Sequence, residues 1–165
     1  MSGSGNDFIL IDHRHPLIHN DQMKEFARKV CQRRVSVGAD GLIFIEPSEK
    51  ADFKWRFFNA DGSEAEMCGN GIRCLARYAF DMGYLAEKGT IQTLAGAVDV
   101  ACEYDEDGDF LAEVTMTEPG FDAPSIPAKG SGDFHEIING YEVYAVNTGV
   151  PHAVIFVKDI DSLDV

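Results

Sequence analysis

Long apolar runs are missing from this 165-residue sequence. None approaches the ~20 residues that a membrane-crossing helix needs. The opening Met1-Ser2-Gly3-Ser4-Gly5-Asn6-Asp7 has neither the basic stretch nor the apolar core of a secretory signal. A soluble, cytoplasmic protein is the expectation. Positive charge is also scarce: 14 Lys and Arg stand against 28 Asp and Glu, a formal net charge of -14. Such a surface repels nucleic-acid phosphates and anionic headgroups, so neither nucleic acid nor a membrane is an expected partner. Cysteine is limited to Cys31, Cys68, Cys74 and Cys102. No CxxC pair is present, and no His lies near Cys68 and Cys74 to complete a zinc site, so no metal is expected. The spacing resembles no small disulfide scaffold either, which leaves reduced thiols with separate roles.

What is present suffices for a core. Hydrophobic residues make up 45% and charged residues 25%, within the range of globular domains. The length fits one domain, or a small domain with part of a second. Phe8 to Asp12 reads as a strand. Asn20 reads as a helix N-cap, followed by Met23, Phe26, Ala27, Val30 and Cys31 on one helical face. The helix is expected to end near Arg33-Arg34, and Cys31 to be a buried core thiol. Arg28, Lys29, Arg33 and Arg34 near this helix, and Arg73 and Arg77 on a later one, suit internal ion pairs better than a polyanion site. Gly38 to Gly41 is a turn, and Leu42 to Ile45 and Phe53 to Phe58 are strands. Asn59 to Ser63 is a loop of turn formers. A second helix is predicted from Ile72 to about Met82, with Ile72, Leu75, Ala76, Ala79 and Phe80 as its apolar face. Thr90 to Leu94, Ala97 to Tyr104 and Phe110 to Thr117 read as a meander with Asp107-Gly108 in a turn. Glu118 to Gly132, rich in Pro and Gly, is the candidate domain boundary. Tyr141 to Asn147 and Ala153 to Val157 are further strands.

Chemistry concentrates around Cys68. It stands just before a helix, whose free N–H groups and positive dipole end favour an anion such as a thiolate. Gly69 and Gly71 leave room for a ligand to approach the backbone, and the same N–H groups can hold a carboxylate. A base and an anion cradle thus share one segment. An inert, packed cysteine accounts for the local pattern equally well.

Three segments tip that balance. Gly3-Ser4-Gly5-Asn6-Asp7-Phe8, Gly38-Ala39-Asp40-Gly41-Leu42-Ile43, and Phe57-Phe58-Asn59-Ala60-Asp61-Gly62-Ser63 with Met67-Cys68-Gly69-Asn70-Gly71-Ile72-Arg73-Cys74 resemble, in order, motifs of the diaminopimelate epimerases. Cys-Gly-Asn-Gly differs from proline racemases, which typically have His after Cys-Gly. The resemblance implies an α+β fold in which a curved sheet wraps a central helix, with two similar domains in the complete protein. Residues 1–118 would form the first epimerase domain with catalytic Cys68, and 119–165 the incomplete start of the second. It implies a cofactor-free isomerase that inverts one α-centre of LL-diaminopimelate to give the meso form, for lysine and peptidoglycan precursors. Cys68 would be one of two acid/base thiols. Asn6, Asn59, Gly69 and Asn70 would hold the amino-acid substrate. His152, in Gly149-Val150-Pro151-His152, resembles a family histidine that tunes the thiols. A homodimer of the full-length protein stays open as a partner.

The sequence departs from the family pattern in places. Val150 stands where the family often has a substrate-binding asparagine, with Asn147 as a candidate replacement. Gly41 replaces a glutamine found in some members. The late Ala-Cys-Gly-Thr/Ser-Gly motif of the second thiol has no match before Val165, so this chain alone is expected to be an inactive piece of the enzyme. Cys74 and Cys102 are read as structural. Three other readings stay open: a binding or folding fragment, a related amino-acid racemase, and a thiol hydrolase that pairs Cys68 with His152.

Overall fold

A computed structural model of the chain describes residues 1–160. The chain divides into two compact units, Met1–Thr115 and Met116–Val165.

The first unit runs β1 (Ser2–Gly3), β2 (Asn6–Asp12), α1 (Met23–Val30), β3 (Gly41–Glu46), β4 (Phe53–Asn59), β5 (Glu64–Ala65), α2 (Gly69–Asp81), β6 (Lys88–Thr93), β7 (Gly96–Tyr104) and β8 (Phe110–Val114). Its sheet has the order β1-β2-β3-β4-β6-β7-β8, with β5 paired to β4. The β2–β3 and β4–β6 pairs are parallel and the rest antiparallel. Helix α2 touches β1 and β2 near one end of this order and β7 and β8 at the other. Strands so far apart in the sheet meet one helix only because the sheet curls around it, the expected curved sheet on a central helix.

The strand sequences explain the two layers. Along β4, Phe53, Trp55 and Phe57 alternate into the core that holds Ile72, Leu75, Ala76 and Ala79 of α2, as period-two alternation requires. On β3 all of Leu42, Ile43, Phe44 and Ile45 are buried, because each face has its own cover. Ile43 and Ile45 belong to the α2 core, whereas Leu42, Phe44 and Phe58 pack with Met23 and Ala27 of α1. Ile72 and Leu75 are completely buried, each worth about 1.5–3 kcal/mol of transfer free energy.

Several boundaries differ from expectation. Asn20 is not an N-cap: Asn20–Gln22 is a short 3-10 turn before α1, neither flanking residue makes a side-chain cap, and Asn20 Oδ1 instead accepts from Arg56 Nη1 at 2.8 Å. Helix α1 stops at Val30, leaving Arg33 outside it to pair with Asp7 and Asp40. Helix α2 begins at Gly69, three residues before its first predicted position. The third meander strand closes at Val114. The ion-pair reading holds for Arg28 and Lys29, which pair with Glu25, for Arg33, and for Arg77, which pairs with Asp81, whereas Arg73 donates to the neutral Ser4 and Asn70.

In the second unit β9 (His135–Ile138), β10 (Tyr141–Asn147) and β11 (Pro151–Ile155) form an antiparallel sheet in the order β11-β10-β9. Strand β9 had no counterpart in the sequence reading. The Pro/Gly-rich stretch before it is not a free linker. Gly120 exchanges backbone bonds with Asn147 at 2.8 Å each way, and Ala123 and Ile126 are buried.

Candidate active site

Cys68 is the N-cap of α2, with extended backbone (φ -151°, ψ 108°), and its carbonyl accepts the Ile72 N–H at 2.9 Å. No side chain caps this helix. The first-turn amides therefore keep the unpaired donors that every helix start has. Cys68 is the one cysteine of the four that is not buried. Burial pushes the Cys31, Cys74 and Cys102 thiols up from their ordinary pKa, away from the thiolate.

The two glycines after Cys68 do different work. At Gly69 a Cβ would meet only Arg73 Nη1, 3.9 Å away, so that side of the backbone is open. At Gly71 a Cβ would stand 3.3–3.4 Å from Ile43, Phe8 and Trp55. Gly71 is thus small to fit the core, and the expected ligand approach is confined to Gly69.

The N-terminal motif is brought to this helix start by a tight turn. Ser4 and Gly5 both have positive φ (50° and 90°) and link Gly3 to its strand partner Asn6, the pattern of a two-residue hairpin in which Gly is favoured. A Cβ on Gly3 would lie 2.8 Å from Cys74 Sγ and 3.1 Å from the Asn70 carbonyl oxygen, so glycine lets β1 lie against α2. Asn6 then meets Asn70: Asn70 Nδ2 donates to Asn6 Oδ1 at 2.8 Å.

Of the surrounding charges, Arg33 and Arg73 were read from sequence only as ion-pair cations, and Asp7 and Asp40 were given no role. The parallel register Phe8↔Gly41 sets Asp7 beside Asp40. Asn6 Nδ2 and the Asp7 N–H both donate to Asp40 Oδ2 at 3.1 Å. Arg33 bridges the two carboxylates, donating to Asp7 and to Asp40 Oδ1. The Arg33 guanidinium pulls the Asp7 carboxyl down to about 2, and Asn6, the Asp7 amide and Arg33 hold Asp40 below the usual carboxylate range. On the other side Arg73 Nη2 donates to Asn70 Oδ1 and to Ser4 Oγ. The available signal for these residues was their place inside or beside the matching motifs.

The remaining predicted residues sit as follows. Asn59 ends β4 opposite Gly41, and its amide donates to Ser63 Oγ at 3.0 Å. A side chain at Gly41 would collide with the Phe57 ring, whose Cε2 lies 2.4 Å from an ideal Cβ, so this core has no room for a glutamine there. His152 belongs to the second unit, is exposed on β11, and donates from Nδ1 to the Val150 carbonyl at 2.6 Å. Asn147 uses both ends of its amide locally, donating to the Ser125 carbonyl and accepting the Gly149 N–H. Among the described residues no group of His, Cys, Asp and Glu is arranged to hold a metal, and no helix is long and apolar enough to cross a membrane.

Comparison with known proteins identifies the family. The family model for diaminopimelate epimerase matches residues 1–121. Diaminopimelate epimerase of Methanothrix thermoacetophila is 50% identical over 163 residues, covering 98% of this chain and 58% of that protein. The Methanocella arvoryzae enzyme of the same name is 48% identical, covering 99% and 59%. The chain thus spans under two thirds of the length of these relatives. Among solved structures, a Bacillus anthracis phenazine biosynthesis protein of the PhzF family aligns over 98% of this chain and 53% of its own, with TM-score 0.70 and 24% identity, a likeness of fold. A family model across most of the chain, with relatives of that name close to half identical to it, places this chain in the diaminopimelate epimerase family.

Proposed function

We propose that this chain supplies one wall and one acid/base thiol of a cofactor-independent epimerase that converts LL-diaminopimelate to the meso form, for lysine and peptidoglycan precursors. The observation that carries the reading is Cys68: an N-cap cysteine, partly exposed, at a helix start with no side-chain cap. The first-turn amides of that helix start leave donors free to face a bound anion such as a carboxylate. Cys68 removes the α-proton from one face of the substrate while a second thiol, from the rest of the enzyme, delivers a proton to the other face. The transient carbanion needs nearby positive potential, which helix N-termini and backbone donors provide once water is excluded. Asn6, Asn59, Gly69 and Asn70 hold the amino acid on this side. His152 adjusts the thiols from a second epimerase domain that opens after residue 118. The reaction takes place in the cytoplasm.

The test is isotope exchange in the full-length protein without added pyridoxal phosphate. In D2O the enzyme is expected to wash deuterium into the α-position of diaminopimelate, and Cys68→Ala to abolish epimerisation. Undiminished turnover in that variant would sink the two-thiol mechanism. A trapped acyl-enzyme on Cys68 would favour the thiol hydrolase instead.

A further inference from the structure

Four side chains form a line at the start of α2: Asp40, Asn6, Asn70 and Arg73. The two ends differ in kind from the middle. An ionised carboxylate can only accept hydrogen bonds, and a guanidinium can only donate. A primary amide does both, and turning it by 180° exchanges its roles. Asp40 therefore requires Asn6 to face it with Nδ2, which leaves Asn6 Oδ1 toward Asn70. Asn70 must answer with Nδ2, which leaves its own Oδ1 toward Arg73. Both ends demand the same solution. A flip of Asn6 alone would set its oxygen against the Asp40 carboxylate. A flip of Asn70 alone would set its NH2 against the Arg73 guanidinium.

We propose that Asp40 and Arg73 are positioning residues that lock the Asn6 and Asn70 amides in one orientation, so that each offers an N–H rather than an oxygen to a substrate carboxylate bound at the start of α2. The proposal rests on the reading that these amides serve an amino-acid substrate. Each amide spends one of its two N–H donors within the line, which leaves one apiece for a ligand. Inverted amides would point lone pairs at a carboxylate and repel it. Asp40 is itself fixed from outside the line by the Asp7 N–H and Arg33, and Arg73 by Ser4 Oγ at 2.9 Å. Charge-assisted bonds at both ends make the line stiffer than four neutral groups would be.

The experiment uses the full-length protein with Asp40→Asn, Arg73→Gln and Arg73→Lys. Asn and Gln can each donate or accept, so D40N removes the constraint at one end with the shape kept, and R73Q removes it at the other with a shorter side chain. R73K keeps an obligate donor. D40N and R73Q are expected to raise KM for diaminopimelate about tenfold or more with a smaller change in kcat, the mark of lost uniform binding. R73K is expected to recover most of the wild-type KM. The 15N side-chain amide resonances give a second readout: D40N is expected to shift Asn70 Nδ2 as well as Asn6 Nδ2, although of the two amides Asp40 bonds only that of Asn6. Wild-type KM in D40N and R73Q, or R73K as poor as R73Q, would overturn the proposal. So would an Asn70 resonance unmoved in D40N. If D40N does not fold, the R73Q and R73K pair decides alone. Wild-type protein without α-exchange would overturn the functional reading instead, and the amide resonances then judge the lock separately.

Discussion

A Cβ on Gly3 would stand 2.8 Å from Sγ of Cys74, residues far apart in sequence that meet because β1 lies against α2. This contact is closer than packed atoms tolerate. Gly3→Ala is expected to destabilise the protein by about 1–3 kcal/mol, the usual cost of overpacking. Part of that cost comes from the Cys74 sulfur, so the same change in a Cys74→Ala background is expected to cost less. A double-mutant cycle by urea unfolding measures the difference. Equal costs in the two backgrounds would show that Cys74 does not limit the approach of β1.

Thiol reactivity separates the four cysteines. Cys31, Cys74 and Cys102 are 2–4% exposed and their thiols are pushed up by burial. Cys68 is accessible at a helix start. Iodoacetamide at neutral pH, followed by peptide mapping, is expected to label Cys68 at least about tenfold faster than the others, since access and thiolate character set the rate. Faster labelling of Cys31 or Cys102 would remove the physical basis for Cys68 as the acid/base thiol.

Acid should loosen the first unit through two arginine-held carboxylates. Arg33 pulls Asp7 down to about 2, and Arg14 does the same to Asp12 through a bidentate contact. A carboxyl whose folded pKa is depressed stabilises the fold above its unfolded value, ordinarily near 4, and that contribution is lost as pH falls toward the folded value. Stability is therefore expected to drop between about pH 4 and pH 2. Both groups are substantially solvent-exposed, so the effect should shrink in high salt. Urea midpoints for wild type, Arg33→Gln and Arg14→Gln across this window check it. The substituted proteins should show a flatter dependence, and identical slopes would refute the assignment.

How much of this was readable from sequence depends on the range of the interactions. The apolar faces of α1 and α2 and the buried run of β3 came from periodicity, because each element repeats its own pattern over several residues. Strands β1 and β5 have two residues each, too few for a pattern. All four residues of β9 are exposed, so no burial pattern marks it. Cys68, Gly69, Asn6 and Asn70 were singled out as candidates because they lie within motifs. Asp40 went unassigned, and Arg33 and Arg73 were read only as ion-pair cations without partners, because their roles arise from pairing. The β2–β3 register, which sets Asp7 against Asp40 and so calls for Arg33, is a contact across more than 30 residues that composition does not reveal. Asn20 was misread because Arg56, from a distant strand, takes the oxygen that would have capped the helix.

The last prediction concerns the two units of the 165-residue polypeptide. In the first, both faces of β3 are covered, and the largest side chains, among them Trp55, Phe44, Phe53 and Phe58, are completely buried. In the second, the buried apolar residues among those described are Ala123, Ile126 and Val143. Its sheet leaves Ile137 at 73% and Phe156 at 81% exposure, with Ile138, Tyr141, Tyr144 and Ile155 also open. Few buried contacts mean that local opening costs little. Hydrogen exchange by mass spectrometry is expected to show amides of β3, β4 and α2 protected at least about a hundredfold more than those of β9, β10 and β11. Equal strong protection through β11 in the polypeptide alone would mean that the second unit holds itself together by contacts other than apolar burial.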